Sequence, residues 1–209
     1  MTQGETVPVL LNGTDQDGDP LTYEVISPLP AGHLLSGSGE NWTYTPPSDF
    51  AGDVVFTYVA KDNRGLKSVE AQVVIQVNYL NLVTCPSTVT PTLSRIWPAD
   101  GRMVKVGIKG GGINSDSVKI LYVHQDEKPG KTSDGGPLGG STTLLRAERL
   151  SAEKKGNGRV YLIGYEGRLG PQTGCRGEVQ VSVPLTSTGT AKLGSARYDS
   201  TQVGSVRLP

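Results

Sequence analysis

The stretch Val54–Val77 reads VVFTYVAKDNRGLKSVEAQVVIQV. Val54, Phe56, Tyr58 and Ala60 form one row in it. Val69, Ala71, Val73, Ile75 and Val77 form a second, alternating with Glu70, Gln72 and Gln76. In an extended chain successive side chains point to opposite faces, so each row predicts a strand with one buried face. The cluster Asp62-Asn63-Arg64-Gly65 between them predicts a turn. Working toward the N-terminus, Trp42 and Tyr44 alternate with Thr43 and Thr45, and Leu21, Tyr23 and Val25 with Thr22 and Glu24. Turn clusters at 17–20, 37–39 and 45–48 separate these runs. Short alternating strands at this spacing predict a β-sandwich of antiparallel sheets.

A second set follows a break near Asn78–Thr84. Its rows are Val104, Val106 and Ile108; Val118, Ile120 and Tyr122; Val160 and Leu162, flanked by Tyr161 and Ile163; and Val179, Val181 and Val183. A long loop, Gln125–Gly140, is rich in Gly, Asp and Lys. Thr143–Lys155 has good helix formers but reads preferentially as a strand, because its neighbours are strands. The expected fold is all-β, with two β-sandwiches in tandem, over residues 1–80 and 84–184. Residues 185–209, rich in Ser, Thr and Gly, are a linker or short extra strands. The apolar connector 78–84 is expected to pack against the sandwiches.

Composition agrees. Gly 28 and Pro 14 make up about a fifth of 209 residues, against a usual share of about 12%. That disfavours a helical bundle. Twenty basic and twenty acidic side chains cancel, so neither a nucleic-acid binder nor an anionic-membrane binder is expected. No apolar run is long enough to span a bilayer as a helix. Met1-Thr2-Gln3-Gly4 opens without the basic and apolar run of a secretion signal. No nucleophile motif or phosphate loop is present, so no enzyme is expected.

The strongest chemical feature is Asp15-Gln16-Asp17-Gly18-Asp19-Pro20. Three carboxylates within five residues repel one another unless a cation intervenes, and calcium takes six to eight oxygen ligands. An EF-hand is excluded, since its Gly and Glu positions hold Pro20 and Ile26. The competing reading is an acidic surface turn held by Asx-type hydrogen bonds. Asp62 ends a strand that returns toward the same loop, and Glu5 lies near the first strand.

The run from Gly13 to Val77 resembles the cadherin-like tandem-repeat domains of large bacterial surface and secreted proteins. It matches their GTD-x-DGD-x-LTY start, their YTP-x-x-x-F-x-G core and their D-x-x-G turn. The resemblance implies a seven-stranded sandwich, an extracellular setting and calcium at one end. The ligands it implies are Asp15, Asp17, Asp19 and Asp62, with Glu5 a weaker transfer. Arg64 departs from the pattern, because a cation pointing inward there opposes calcium. In the second half, Ile96-Trp97-Pro98, Met103-Val104, Asp126-Glu127, Leu145-Arg146-Ala147-Glu148-Arg149 and Gly158-Arg159-Val160-Tyr161 resemble a second β-sandwich module of secreted bacterial proteins. That module carries WPPNH, LRAER and GRVY-like segments and implies no activity.

Other candidates are read more plainly. Cys85 and Cys175 bracket the second sandwich and are expected to pair as a disulfide in an oxidising compartment, the alternative being two buried thiols. Trp42, Tyr44, Tyr23 and Tyr58 are candidates for a carbohydrate platform but read as core. Trp97 reads as a packing anchor. Arg146, Glu148, Arg149 and Arg159 read as a solvated ion-pair ladder. Asp126, Glu127 and Asp134 are candidates for a second calcium site in what reads as a mobile surface loop. The expected function is a calcium-binding structural or adhesion module of a bacterial secreted or cell-surface protein. Neighbouring domains of the same polypeptide, a surface polysaccharide or another adhesin are its expected partners. The alternative is a carbohydrate-binding accessory module of a secreted hydrolase.

Overall fold

Alternation in the sequence becomes burial in the fold. A computed structural model describes residues 1–27, 29–129, 133–147, 158–203 and 206–208. The chain divides into two units, Met1–Asn81 with Pro171–Thr173, and Leu82–Gly170 with Gly174–Pro209. Both are built from antiparallel strands.

The first unit contains β1 (Val7–Leu10), β2 (Thr22–Val25), β3 (Leu34–Ser38), β4 (Asn41–Thr45), β5 (Gly52–Lys61) and β6 (Ala71–Val77). They form two sheets, β1-β4-β3 and β2-β5-β6. The hairpin that opened the sequence reading pairs Gly52 with Val77 through to Tyr58 with Ala71. Val54 and Phe56 are 1% and 0% exposed, while Val55 between them is 44% exposed. Tyr44, Tyr58, Ile75, Val77 and Leu11 complete the core. The resemblance implies seven strands, and the described residues show six. In place of a seventh, Met1–Gln3 runs beside the end of β6, with a parallel bridge between Thr2 and Asn78.

The second unit contains β7 (Asn81–Thr84), β8 (Val89–Pro91), β9 (Met103–Gly110), β10 (Lys119–Gln125), β11 (Gly135–Gly136), β12 (Thr142–Arg146), β13 (Arg159–Arg168), β14 (Thr173–Val183) and β15 (Tyr198–Asp199). Its sheets are β15-β10-β13-β14-β7 and β11-β12-β9-β8. Tyr161, Ile163 and Tyr165 of the central strand β13 join the core with Val106, Ile108, Ile120, Val123 and Val181. Val160 and Leu162, on its opposite face, are buried as well. Cys85 and Cys175 form a disulfide, buried within that core.

Some expectations change here, while the strand readings at 142–146 and beyond 185 hold. Part of the connector is strand rather than side-chain packing. Asn81–Thr84 is β7, and Leu80, Leu82 and Val83 stay about half exposed. Residues 185–209 contribute β15, which pairs with β10 through His124 and Gln125. Thr142–Arg146 is a strand, whereas Glu148 and Arg149 of the same motif lie outside the described residues. Trp97 is 40% exposed, and its neighbour Ile96, at 2%, is the packing anchor instead.

The disulfide closes a loop with a sequence separation of 90. In the chain-entropy account a loop of that length restricts the unfolded chain by about 4–5 kcal/mol. Replacing Cys85 and Cys175 together by Ser is expected to lower the calorimetric transition of the second unit by that order and to leave the first unit's transition in place. A transition that does not move would contradict this.

Candidate functional site

The acidic loop lies between β1 and β2. Asp15 turns its carboxylate back on its own loop: Oδ1 accepts the N–H of Asp17 at 2.8 Å and of Asp19 at 3.0 Å. Gly18 takes a left-handed φ of 78°, which lets the chain wrap around that carboxylate. The turn Asp62–Gly65 is built the same way. Asp62 Oδ1 accepts the N–H of Arg64 at 2.9 Å and of Leu66 at 2.8 Å. This turn reaches the acidic loop through its two middle residues. Asn63 Nδ2 donates to Asp19 Oδ1 at 3.2 Å. The Arg64 guanidinium stands 3.7 Å from Asp19 Oδ2 and 4.0 Å from Asp17 Oδ2. Glu5 is engaged elsewhere, accepting the Thr2 N–H at 2.6 Å. A cleft of about 330 Å³ beside the loop is lined by Asp15, Asp19, Tyr23 and Glu40. Glu40 arrives from the β3–β4 turn, and no spacing in the sequence groups it with the others.

With the Arg64 guanidinium facing Asp17 and Asp19, this arrangement does not fit a calcium ion between them. Asp15, Asp62 and Glu5 each give an oxygen to backbone N–H groups, and the cation facing Asp17 and Asp19 is Arg64. Among the described residues, no three His, Cys, Asp or Glu side chains come together in a way that could hold a metal.

The second acidic group is also answered from within the chain. Arg159, the first residue of β13, is 1% exposed. Its Nε lies 3.2 Å from Glu127 Oε2, and its Nη1 lies 3.0 Å from Asp134 Oδ2. Nη1 also donates to the Tyr161 hydroxyl at 3.0 Å, which in turn donates to the Arg146 carbonyl at 2.9 Å. Asp134, itself 2% exposed, accepts a hydrogen bond from Gln125 Nε2 at 3.0 Å and has Arg146 Nε 3.3 Å from its Oδ1. Asp126 faces away from this group. Its two oxygens accept the N–H of Val160 and of Gly194, each at 2.8 Å.

Arg159 therefore does not belong to a solvated ladder, and Asp134 is no part of a mobile surface loop. Burial alone would lower the Arg159 pKa. Tyr161, Asp134 and Glu127 outweigh that and raise it, so the charge is permanent. Burial pushes Tyr161 up to about 12, which keeps it a neutral donor. The position foreseen for a second calcium ion is taken by two guanidinium groups. Sequence reading noticed the motif residues but missed Gln125 and Tyr161 as members of the group.

The aromatic candidates are mostly core. Tyr44 and Tyr58 are 0% and 7% exposed, and Tyr23 and Trp42 pack against the same cluster. One open cleft of about 530 Å³ is lined by Val25, Ile26, Leu29, His33, Leu34 and Trp42, among others. His33 Nδ1 sits 2.6 Å from the Tyr44 hydroxyl, and its ring meets Phe50 edge-on at 4.5 Å.

A family described as Bacterial Ig domain matches residues 1–76. The first unit is an all-β sandwich that is similar to that family over residues 1–76. No curated protein matches the chain. Among solved structures, the chain is similar to an endo-fucoidan hydrolase of glycoside hydrolase family 107, at 14% identity and a TM-score of 0.32, over 87% of this chain and 26% of that one. It is similar to human protocadherin-24 EC1-2 at 14% identity and a TM-score of 0.27, over 85% and 87% of the two chains. It is also similar to the D00-D0 domain of intimin at 14% identity and a TM-score of 0.30, over 87% and 93%. The chain spans about a quarter of the hydrolase it matches. Scores this low carry no functional argument.

Burial lowers the His33 pKa below its ordinary 6.5, so the folded first unit favours the neutral ring, able to accept the Tyr44 proton. A depressed folded-state pKa means that stability is complete above about pH 6.5 and is lost as pH falls through the lower, folded value. The melting temperature of the first unit is expected to be flat from neutral pH upward and to drop as pH falls below about 6.5, and His33→Gln should flatten that drop. An equally steep drop in the variant would assign the effect to other groups.

Proposed function

We propose that the chain is a non-catalytic structural segment of a bacterial secreted or cell-surface protein, a spacer or adhesion module that joins neighbouring domains of one polypeptide. The observation that carries this reading is the match of residues 1–76 to the bacterial Ig domain. The buried Cys85–Cys175 disulfide supports it, because such bonds persist in oxidising, extracytoplasmic compartments. The charge arrangement supports it too. Arg159, Asp134 and Glu127 serve one another, and so do Arg64, Asp17 and Asp19, which suits a scaffold rather than a reaction centre.

A second reading rests on one observation, the open cleft beside Trp42 and His33. An apolar cleft with an aromatic wall suits stacking against a sugar ring, which makes a carbohydrate-binding accessory module the competitor. Affinity electrophoresis of the purified chain through gels carrying soluble bacterial and algal polysaccharides separates the two. The spacer reading predicts unretarded migration. Retardation that Trp42→Ala abolishes would replace it with the carbohydrate reading.

A further inference from the structure

We infer that Arg64 is a built-in counter-ion of the acidic loop, holding the place that calcium takes in domains of the kind this one resembles. The argument starts from charge. Asp15, Asp17 and Asp19 put three carboxylates within five residues, and such a loop needs a cation nearby to stay compact. The structure supplies one from the neighbouring turn. Arg64 faces the outer oxygens of both Asp17 and Asp19, at 4.0 and 3.7 Å. Asn63, the residue before it, donates to the other oxygen of Asp19. Asp19 is thus gripped on both oxygens by one turn, and Asn63 joins the two loops across 44 positions of sequence.

Chain geometry points the same way. Asp62 Oδ1 accepts the backbone N–H of Arg64 itself, so the carboxylate foreseen as a calcium ligand instead shapes the turn that carries the cation. Asp15 Oδ1 likewise caps the backbone of its own loop. For calcium to enter, Arg64 would have to leave, whereas Asp15 and Asp62 can keep their N–H partners on Oδ1 and present Oδ2. A resident positive charge also reduces the net negative charge on which affinity in such sites depends.

Arg64 is two-thirds exposed on its side chain, and exposed ion pairs contribute little to stability. The fold therefore survives its removal, which makes the inference testable by gain of function. Wild type, Arg64→Asn and Arg64→Lys are melted calorimetrically in chelator and in millimolar calcium, and each is titrated with calcium by isothermal calorimetry. The expected result is no calcium heat and superimposed melting curves for wild type and Arg64→Lys. Arg64→Asn should bind calcium and melt several degrees higher with it than in chelator. A wild-type first transition that rises with calcium would overturn the inference. So would an Arg64→Asn protein that folds and remains indifferent to calcium, because Arg64 would then not be what excludes the ion.

Discussion

A guanidinium sealed inside a β-sandwich must be answered from all sides, and Arg159 sets that requirement for the second unit. An arginine cannot shed its proton to escape burial, and leaving its charge unpaired there would cost several kcal/mol. Glu127 and Asp134 answer it at 3.2 and 3.0 Å. Their positions fix both ends of the segment that leaves β10 and returns at β11. Asp134 also takes Arg146, which reaches on to the Gly101 and Ser133 carbonyls and ties the end of β12 to two loops. Tyr161 closes the circuit from the central strand. A buried pair of this kind is weak support for net stability, since apolar groups of equal volume would pack as well. Its effect is to make one loop arrangement far better than any that leaves a member unpaired.

The first unit solves the same problem at its surface, with weaker means. Its acidic loop and the β5–β6 turn are drawn together by Arg64 and Asn63 over longer, exposed contacts. In both units the acids that look like ligands in the sequence face arginines or backbone N–H groups of their own chain.

Much of the fold was legible in the sequence, and the exceptions have physical causes. β5, β6, β9 and β14 announce themselves because they run for seven or more residues with one wet face. β8, β11 and β15, at two or three residues, are too short to show a period, and β11 is Gly-Gly. Central β13 conceals its two-sided burial, because an uninterrupted run such as Val160–Ile163 has no polar alternate to report which face is wet. The charged groups were harder still. Arg159 and Arg64 are the same residue type at the edge of a strand or a turn, yet one is buried and the other open. Composition shows that acids are clustered. It does not show which cation, in space, will face them. The sequence departure at Arg64 was the one local sign, and it pointed correctly to a cation beside the acidic loop.

Arg159 and Asp134 are buried counter-charges of one another, and a double-mutant cycle measures their coupling directly. Arg159→Met and Asp134→Leu are unfolded in denaturant singly and together, following the second unit. Each single change takes one counter-charge from a buried partner and is expected to cost about 3–5 kcal/mol. The double variant is expected to lose far less than the two together, leaving a coupling of about 2–3 kcal/mol. Additive losses would mean that the two charges are indifferent to each other and that the second unit is organised by its apolar core and disulfide alone.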